Sequence, residues 1–464
     1  MSELGFVSLL VACTLVGAFS WALLVVRDIF HPVVFLTPML GYIYVYLPWE
    51  LQHSGLIVSS IYSVHEMSSV QWYNLACIVA LLSGCILAGN RRPPGWRRAV
   101  RSARGLNDRA AGERAFQAAL VFGCLGVLAY MVNLGNVGGV MDAYSTEKGG
   151  GTAESGYVRD AVMWCLTALT LVYYRISRGR SGWSQYVALA CFSAPLVMHA
   201  LLSGRRGPTF VIFSLLFVGW YLARRKRPGL LVFAGGGAAL GMLMLVMLTF
   251  RDSFRIGSDL FSDPSKAIHN IAGEFEERRA QQMERSLSGN EFVYGITVVN
   301  EFARDQDFFW GQRLLAILVI RPIPRQLWPT KYEDVGLGRY EVNVGLTVGD
   351  DSKGGVAYGA APGFAADLFA EFSWLAVGAS FLAGYGYGAA WRRCVLFGGI
   401  WLILYLLMVS FSIFFAVQTM EAVLFRMAFT FIPTLIVWRL YISSPTKQIT
   451  FRQRPSARTR YSTT

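Results

Sequence analysis

Long apolar runs, separated by short and mostly basic polar stretches, set the pattern of this 464-residue chain. A bilayer crossing takes about 20 mostly apolar residues, because every backbone amide must be paired inside the lipid and a helix does that unaided. Such runs lie at 5–26, 33–50, 70–89, 115–133, 159–174, 185–203, 209–223, 230–250, 364–390, 395–417 and 422–441, which predicts about eleven transmembrane helices. The runs at 33–50 and 159–174 are short for a span. The first run has neither a basic leader nor a small-residue cleavage site and reads as a retained helix, not a signal peptide.

Only one polar stretch is long. Residues 251–363, between the eighth and ninth runs, carry 13 basic against 16 acidic residues. A polar loop of this length without structure of its own is unusual, so helices are expected within it. Glu274 to Leu287 is rich in helix formers, and 313–320 is apolar enough to re-enter the membrane surface. The organisation predicted is a single integral membrane domain over 1–464, with the large loop at 251–363 and a basic tail at 442–464.

Composition excludes a soluble enzyme: 54% of residues are hydrophobic and 15% charged, against about a quarter charged in soluble domains. The net charge of +13 sits in clusters between spans and not on a folded surface, so nucleic acid is not the expected partner. Eight arginines fall between Arg91 and Arg114, and further clusters are Arg175/Arg178/Arg180, Arg224/Arg225/Lys226/Arg227, Arg392/Arg393 and the tail. Eleven spans put all of these on one side, which the positive-inside rule makes the cytoplasm. The N-terminus and the 251–363 loop then face outward, and the C-terminus is cytoplasmic. None of the seven cysteines lies in the large loop, and no Cys or His spacing suggests a metal site.

Four constellations carry candidate chemistry. Ser203-Gly204-Arg205-Arg206-Gly207-Pro208 places two arginines on the outer side, where guanidinium forks suit phosphate oxygens; the alternative is a tight helix hairpin whose arginines reach to lipid headgroups. Arg251 and Arg255 are four apart, on one face if the helix continues, with Asp252 and Asp259 as alternative partners. Arg321-Pro322-Ile323-Pro324-Arg325-Gln326-Leu327-Trp328-Pro329-Thr330-Lys331 is too proline-rich for a helix. It reads as a strap projecting Arg321, Arg325 and Lys331, with Trp328 positioned to stack on a sugar. In Pro362-Gly363-Phe364 through Asp367 to Glu371-Phe372, two carboxylates share a helix face near membrane depth, as general base or as counter-ions. Glu421 and Arg426 read as a structural pair. Among the histidines, His269 in the large loop and His199 before the double arginine are further base candidates.

The motifs S-G-x-R-G, P-R-x-x-W-P-x-K and P-G-F…D…E-F, with one long outer loop, resemble the Wzy-type O-antigen (oligosaccharide repeat-unit) polymerases along nearly the whole chain. That resemblance implies an all-α polytopic glycosyltransferase of GT-C-like architecture in the bacterial inner membrane, working on the periplasmic side in lipopolysaccharide biosynthesis. Its donor would be an undecaprenyl-pyrophosphate-linked oligosaccharide, with no nucleotide sugar, metal or other cofactor. Its partners would be membrane lipids, a flippase and a chain-length regulator. Arg205, Arg206, Arg251, Arg255, Arg321, Arg325 and Lys331 would hold the pyrophosphate, and Trp328 the glycan. The base would be Glu371, Asp367 or His269, then His199. Two neighbouring readings stay open: a ligase passing the same donor to lipid A-core, and a transporter of lipid-linked oligosaccharides.

Overall fold

The computed structural model describes residues 2–53, 62–90, 108–145, 156–179, 182–203, 206–249, 291–323, 327–335 and 361–443. Among these residues the chain is helix and turn, with no strand. The main helices are α1 (Glu3–Trp21), α2 (Pro32–Gly41, continuing helically to His53), α3 (Val64–Asn90), α4 (Asp108–Asn136), α5 (Trp164–Ser177), α6 (Trp183–Leu202) and α7 (Arg206–Ala223). They are followed by α8 (Leu230–Thr249), α9 (Glu291–Asp305), α10 (Gln312–Val319), α11 (Gly363–Phe372), α12 (Ala376–Phe397), α13 (Ile400–Ser410) and α14 (Met420–Val437).

Local signals explain several boundaries. Ser2 caps α1 by accepting the Gly5 N–H, and His31 caps α2 ahead of Pro32, whose missing N–H costs nothing at a first helical position. Thr419 caps α14 through the Ala422 N–H. Eight helical stretches among the described residues are long and apolar enough to cross a membrane. They correspond to every predicted run except 159–174, 230–250 and 395–417. Those three are helical too, but α5 has 14 residues, which at 1.5 Å per residue reaches only about 21 Å of a hydrocarbon layer about 30 Å thick. The predicted break near 391–394 is absent: α12 runs through to Phe397, and the turn falls at Gly398 and Gly399. The predicted Glu274–Leu287 helix lies outside the described residues, whereas the 313–320 run forms α10.

The tightest contact in the bundle is the crossing of α3 and α12. A Cβ on Gly84 would overlap the Phe381 carbonyl, and one on Gly384 would overlap the Leu81 carbonyl. Such backbone approach is how helices associate where surrounding lipid removes the hydrophobic drive. α5 is buried on all sides from Cys165 to Ile176 and forms the centre, packed by α4, α6, α7 and α13.

The two ends of the bundle differ in character. At one end the basic clusters converge: Arg227 with Asp28 at 2.8 Å, Arg392 with the Gly89 carbonyl, and Arg114 with the Ile442 carbonyl at 2.8 Å. At the other end lie the start of α7, the strap at 320–335, the α11 carboxylates and the start of α14.

Candidate functional site

α11 ends abruptly at Phe372, and Ser373 takes a left-handed backbone (φ 52°) before α12 begins. The carbonyls left open by that ending are taken up from outside the helix. Phe309 N–H donates to Ala370 O at 3.1 Å and Trp310 N–H to Glu371 O at 2.7 Å. The donating turn is strained in turn, with Gln306 at φ 56° and Trp310 at φ 52°. Left-handed backbone at such residues costs roughly 1–3 kcal/mol each and persists only where surrounding contacts enforce it. Gly311 (φ 82°) completes the turn, in a conformation that suits glycine.

This turn launches α10 and brings Arg313 against α11. The Arg313 guanidinium donates to Asp367 and, at 2.6 Å, to Glu371, with Glu421 a further 3.8 Å contact. Both α11 carboxylates are fully buried. Their remaining oxygens cap helices: Glu371 accepts the Gly311 N–H (3.1 Å) at the start of α10, and Asp367 accepts the Met420 N–H (2.6 Å) at the start of α14. Burial opposes the Arg313 charge, but Asp367, Glu371 and Glu421 outweigh it and raise its pKa above the ordinary guanidinium value. The node therefore ties α10, α11 and α14 together. Asp367 and Glu371 serve it as counter-ions and caps, each of their four oxygens accepting one donor. The sequence signalled that the two acids needed a cation but did not name Arg313.

The Glu421–Arg426 pair does not form, which corrects the sequence expectation. Five residues apart on a helix is about 140° of rotation, so the two side chains leave different faces. Glu421 turns to Arg313, while Arg426 lies partly buried over the Phe414 ring at 4.1 Å. Its guanidinium donates to the Ala422 carbonyl (3.0 Å), and among the described residues no carboxylate pairs with it. Its charged neighbours are Arg321, Asp160 and Arg159. Arg321 stands 3.7 Å over Phe425 and reaches Asp160 at 3.5 Å, an acid shared with Arg159 at 3.4 Å. Two guanidinium groups thus share one carboxylate, with the Arg426 guanidinium close by.

Arg206 begins α7 on the far side of Phe414, whose ring leaves no room for a Cβ on Gly207. Its guanidinium is paired with the buried Glu291 of α9 and lies 6.0 Å from the Tyr42 ring centre. Contrary to the sequence expectation, Lys331 does not project. It is 2% exposed, and its ammonium donates to the carbonyls of Ile320, Arg321 and Ile323, closing the C-terminal end of α10. Trp328 is half-buried with its indole N–H on Asp334 at 2.5 Å, and that bond, with one from Thr330, holds the Asp334 pKa below its usual value. His199 meets the Tyr144 hydroxyl at 3.2 Å, which in turn meets Tyr130. Arg205, Arg251, Arg255, His269 and Arg325 lie outside the described residues. No group of three or more metal-binding side chains occurs among the described residues.

The structure thus brings Arg206, Arg313, Arg321 and Arg426 to one end of the bundle, and among the described residues Arg426 alone of the four is paired with no carboxylate. Such an arrangement can take up an anion, since a phosphate oxygen would replace the acid that Arg426 lacks. No protein-family model matches the chain, and neither the curated proteins nor the solved structures yield a match.

Proposed function

We propose that this chain is a membrane glycosyltransferase that joins undecaprenyl-pyrophosphate-linked oligosaccharide repeat units into a surface polysaccharide. In this reading all eleven apolar helices are spans, the architecture is GT-C-like, the protein sits in the bacterial inner membrane and the arginine-bearing end faces the periplasm. The single observation that supports it is Arg426, a partly buried guanidinium beside Arg321 with no carboxylate of its own. A glycosyl pyrophosphate carries its own leaving group, so catalysis needs chiefly positioning and stabilisation of the departing charge. Arg321 and Arg426 supply that charge, and Arg206 joins them if the anion competes with Glu291. The acceptor hydroxyl attacks C1, the C1–phosphate oxygen bond breaks, and the diphosphate leaves on its lipid. With Glu371 and Asp367 engaged by Arg313, the proton passes to His269 or His199.

Reconstitution with purified lipid-linked repeat units tests this directly. A ladder of products on a gel supports polymerisation, a single transfer to added lipid A-core replaces it with ligation, and neither product overturns transferase activity altogether. Polymerisation should persist in EDTA; a loss that zinc or magnesium restores contradicts charge stabilisation by guanidinium groups alone.

A further inference from the structure

At the opposite, basic end of the bundle a second set of cations gathers around a cleft. α5 and α7 finish side by side there, and residues 176–179 and 223–226 enclose an open cleft of about 670 Å³. Arg178, Arg224, Arg225 and Lys226 line it, and among the described residues no acid does. Nearby acids are already engaged: Glu113 with Arg175 at 2.5 Å and Asp28 with Arg227 at 2.8 Å. Like charges gathered in this way repel one another unless an anion lies among them.

A second cleft, of about 580 Å³, opens one to three turns deeper on the same helices, between α5, α6 and α7. Its lining is apolar and aromatic, including Tyr173, Leu189, Phe213, Phe217 and Trp220. Arg224 joins the two clefts. Its guanidinium lies 3.4 Å over the Trp220 ring and donates to the Tyr186 hydroxyl at 3.0 Å, and both rings line the deeper cleft. Tryptophan and tyrosine under a cation are the usual furniture of the membrane–water boundary.

We propose that these clefts form one binding site for an anionic phospholipid, taken from the leaflet at the basic end. The phosphodiester sits among Arg224, Arg225 and Lys226, and an acyl chain lies in the slot beside Trp220. A soluble phosphate would leave the slot unused. A zwitterionic lipid would bring its ammonium group against four cations, so net negative charge on the headgroup is part of what the site selects. This site is separate from the arginine cluster of the proposed transferase and does not depend on that reading.

Native mass spectrometry of the purified full chain, given equal amounts of phosphatidylglycerol and phosphatidylcholine with identical chains, tests the proposal. Phosphatidylglycerol adducts should exceed phosphatidylcholine adducts at least tenfold. The preference should vanish when Arg224→Gln, Arg225→Gln and Lys226→Gln are combined. Leu189→Trp, which fills the slot, should weaken retention with the headgroup contacts intact. Should the triple variant not fold, Arg225→Gln alone, at an exposed position, should still lower the preference about threefold. Equal retention of the two lipids overturns the proposal, as does an undiminished preference in these variants. Full displacement by glycerol 3-phosphate would identify a soluble-anion site and overturn it as well.

Discussion

Arg313 and Arg426 stand at the same end of the bundle and meet opposite circumstances. Arg313 is held by two buried carboxylates with a third nearby, and those carboxylates cap two helices. Arg426 has a backbone carbonyl and an aromatic face but no paired acid among the described residues. The first arrangement is saturated and holds the fold; the second leaves a guanidinium unpaired by any acid among the described residues. A cluster of arginines is therefore not a site as a whole. The residue paired with no acid among the described residues is the stronger candidate for a ligand, whereas the α11 carboxylates are engaged in holding the scaffold.

The largest effect that tests this contrast is on folding. Arg313→Gln leaves Asp367 and Glu371 buried without their cation, and breaking a buried pair costs roughly 3–5 kcal/mol. The variant should fail to accumulate, and adding Asp367→Asn with Glu371→Gln should restore part of the yield. Arg426→Ala should do the reverse: thermal stability unchanged or slightly raised, because a repulsion with Arg321 is removed, and polymerisation reduced about 100-fold, the scale for losing one stabilising donor. If both variants lose stability together, or if Arg426→Ala polymerises normally, the contrast is lost.

How far this was visible in the sequence differs by residue. The apolar runs located the membrane-length helices, because hydrophobic length is a local property, but not α9, which lies inside the polar stretch. The break at Ser373–Leu375 was not visible: no proline or glycine marks it, and its cause is the N–H groups of Phe309 and Trp310, more than 60 positions away along the chain. The Asp367/Glu371 spacing announced a shared face and a need for a cation. Which cation met it was a tertiary matter, since Arg313 opens a run that looked merely apolar. Lys331 was misjudged as projecting because the prolines of the strap fix its backbone but not the direction of its side chain, which three nearby carbonyls drew inward. Arg426 could have been found: the angular offset from Glu421 follows from helix geometry alone and already argued against their pairing.

A smaller effect separates scaffold from chemistry at Glu371. Gln retains the shape and an acceptor oxygen while removing the charge, so Glu371→Gln should lower polymerisation less than about 10-fold and leave the pH–rate profile in place. A general base supplies about 10²–10⁴. A loss of that size with unchanged thermal stability would return Glu371 to the chemistry and make the node catalytic.

The smallest effect comes from the basic end. His31 lies buried between the rings of Trp21 and Trp391, and burial lowers its pKa from 6.5 to about 4, against a partial opposing pull from Asp28. The folded chain keeps this imidazole neutral, while the unfolded chain takes up a proton below about pH 6.5. Stability from this residue is therefore full above that pH and falls as the pH drops towards 4, by about 1 kcal/mol on reaching pH 6. His31→Asn keeps a side chain able to cap α2 and should remove that slope from a thermal-stability scan. What acid sensitivity remains then belongs to other groups; a slope unaltered by His31→Asn would show that this imidazole does not set it.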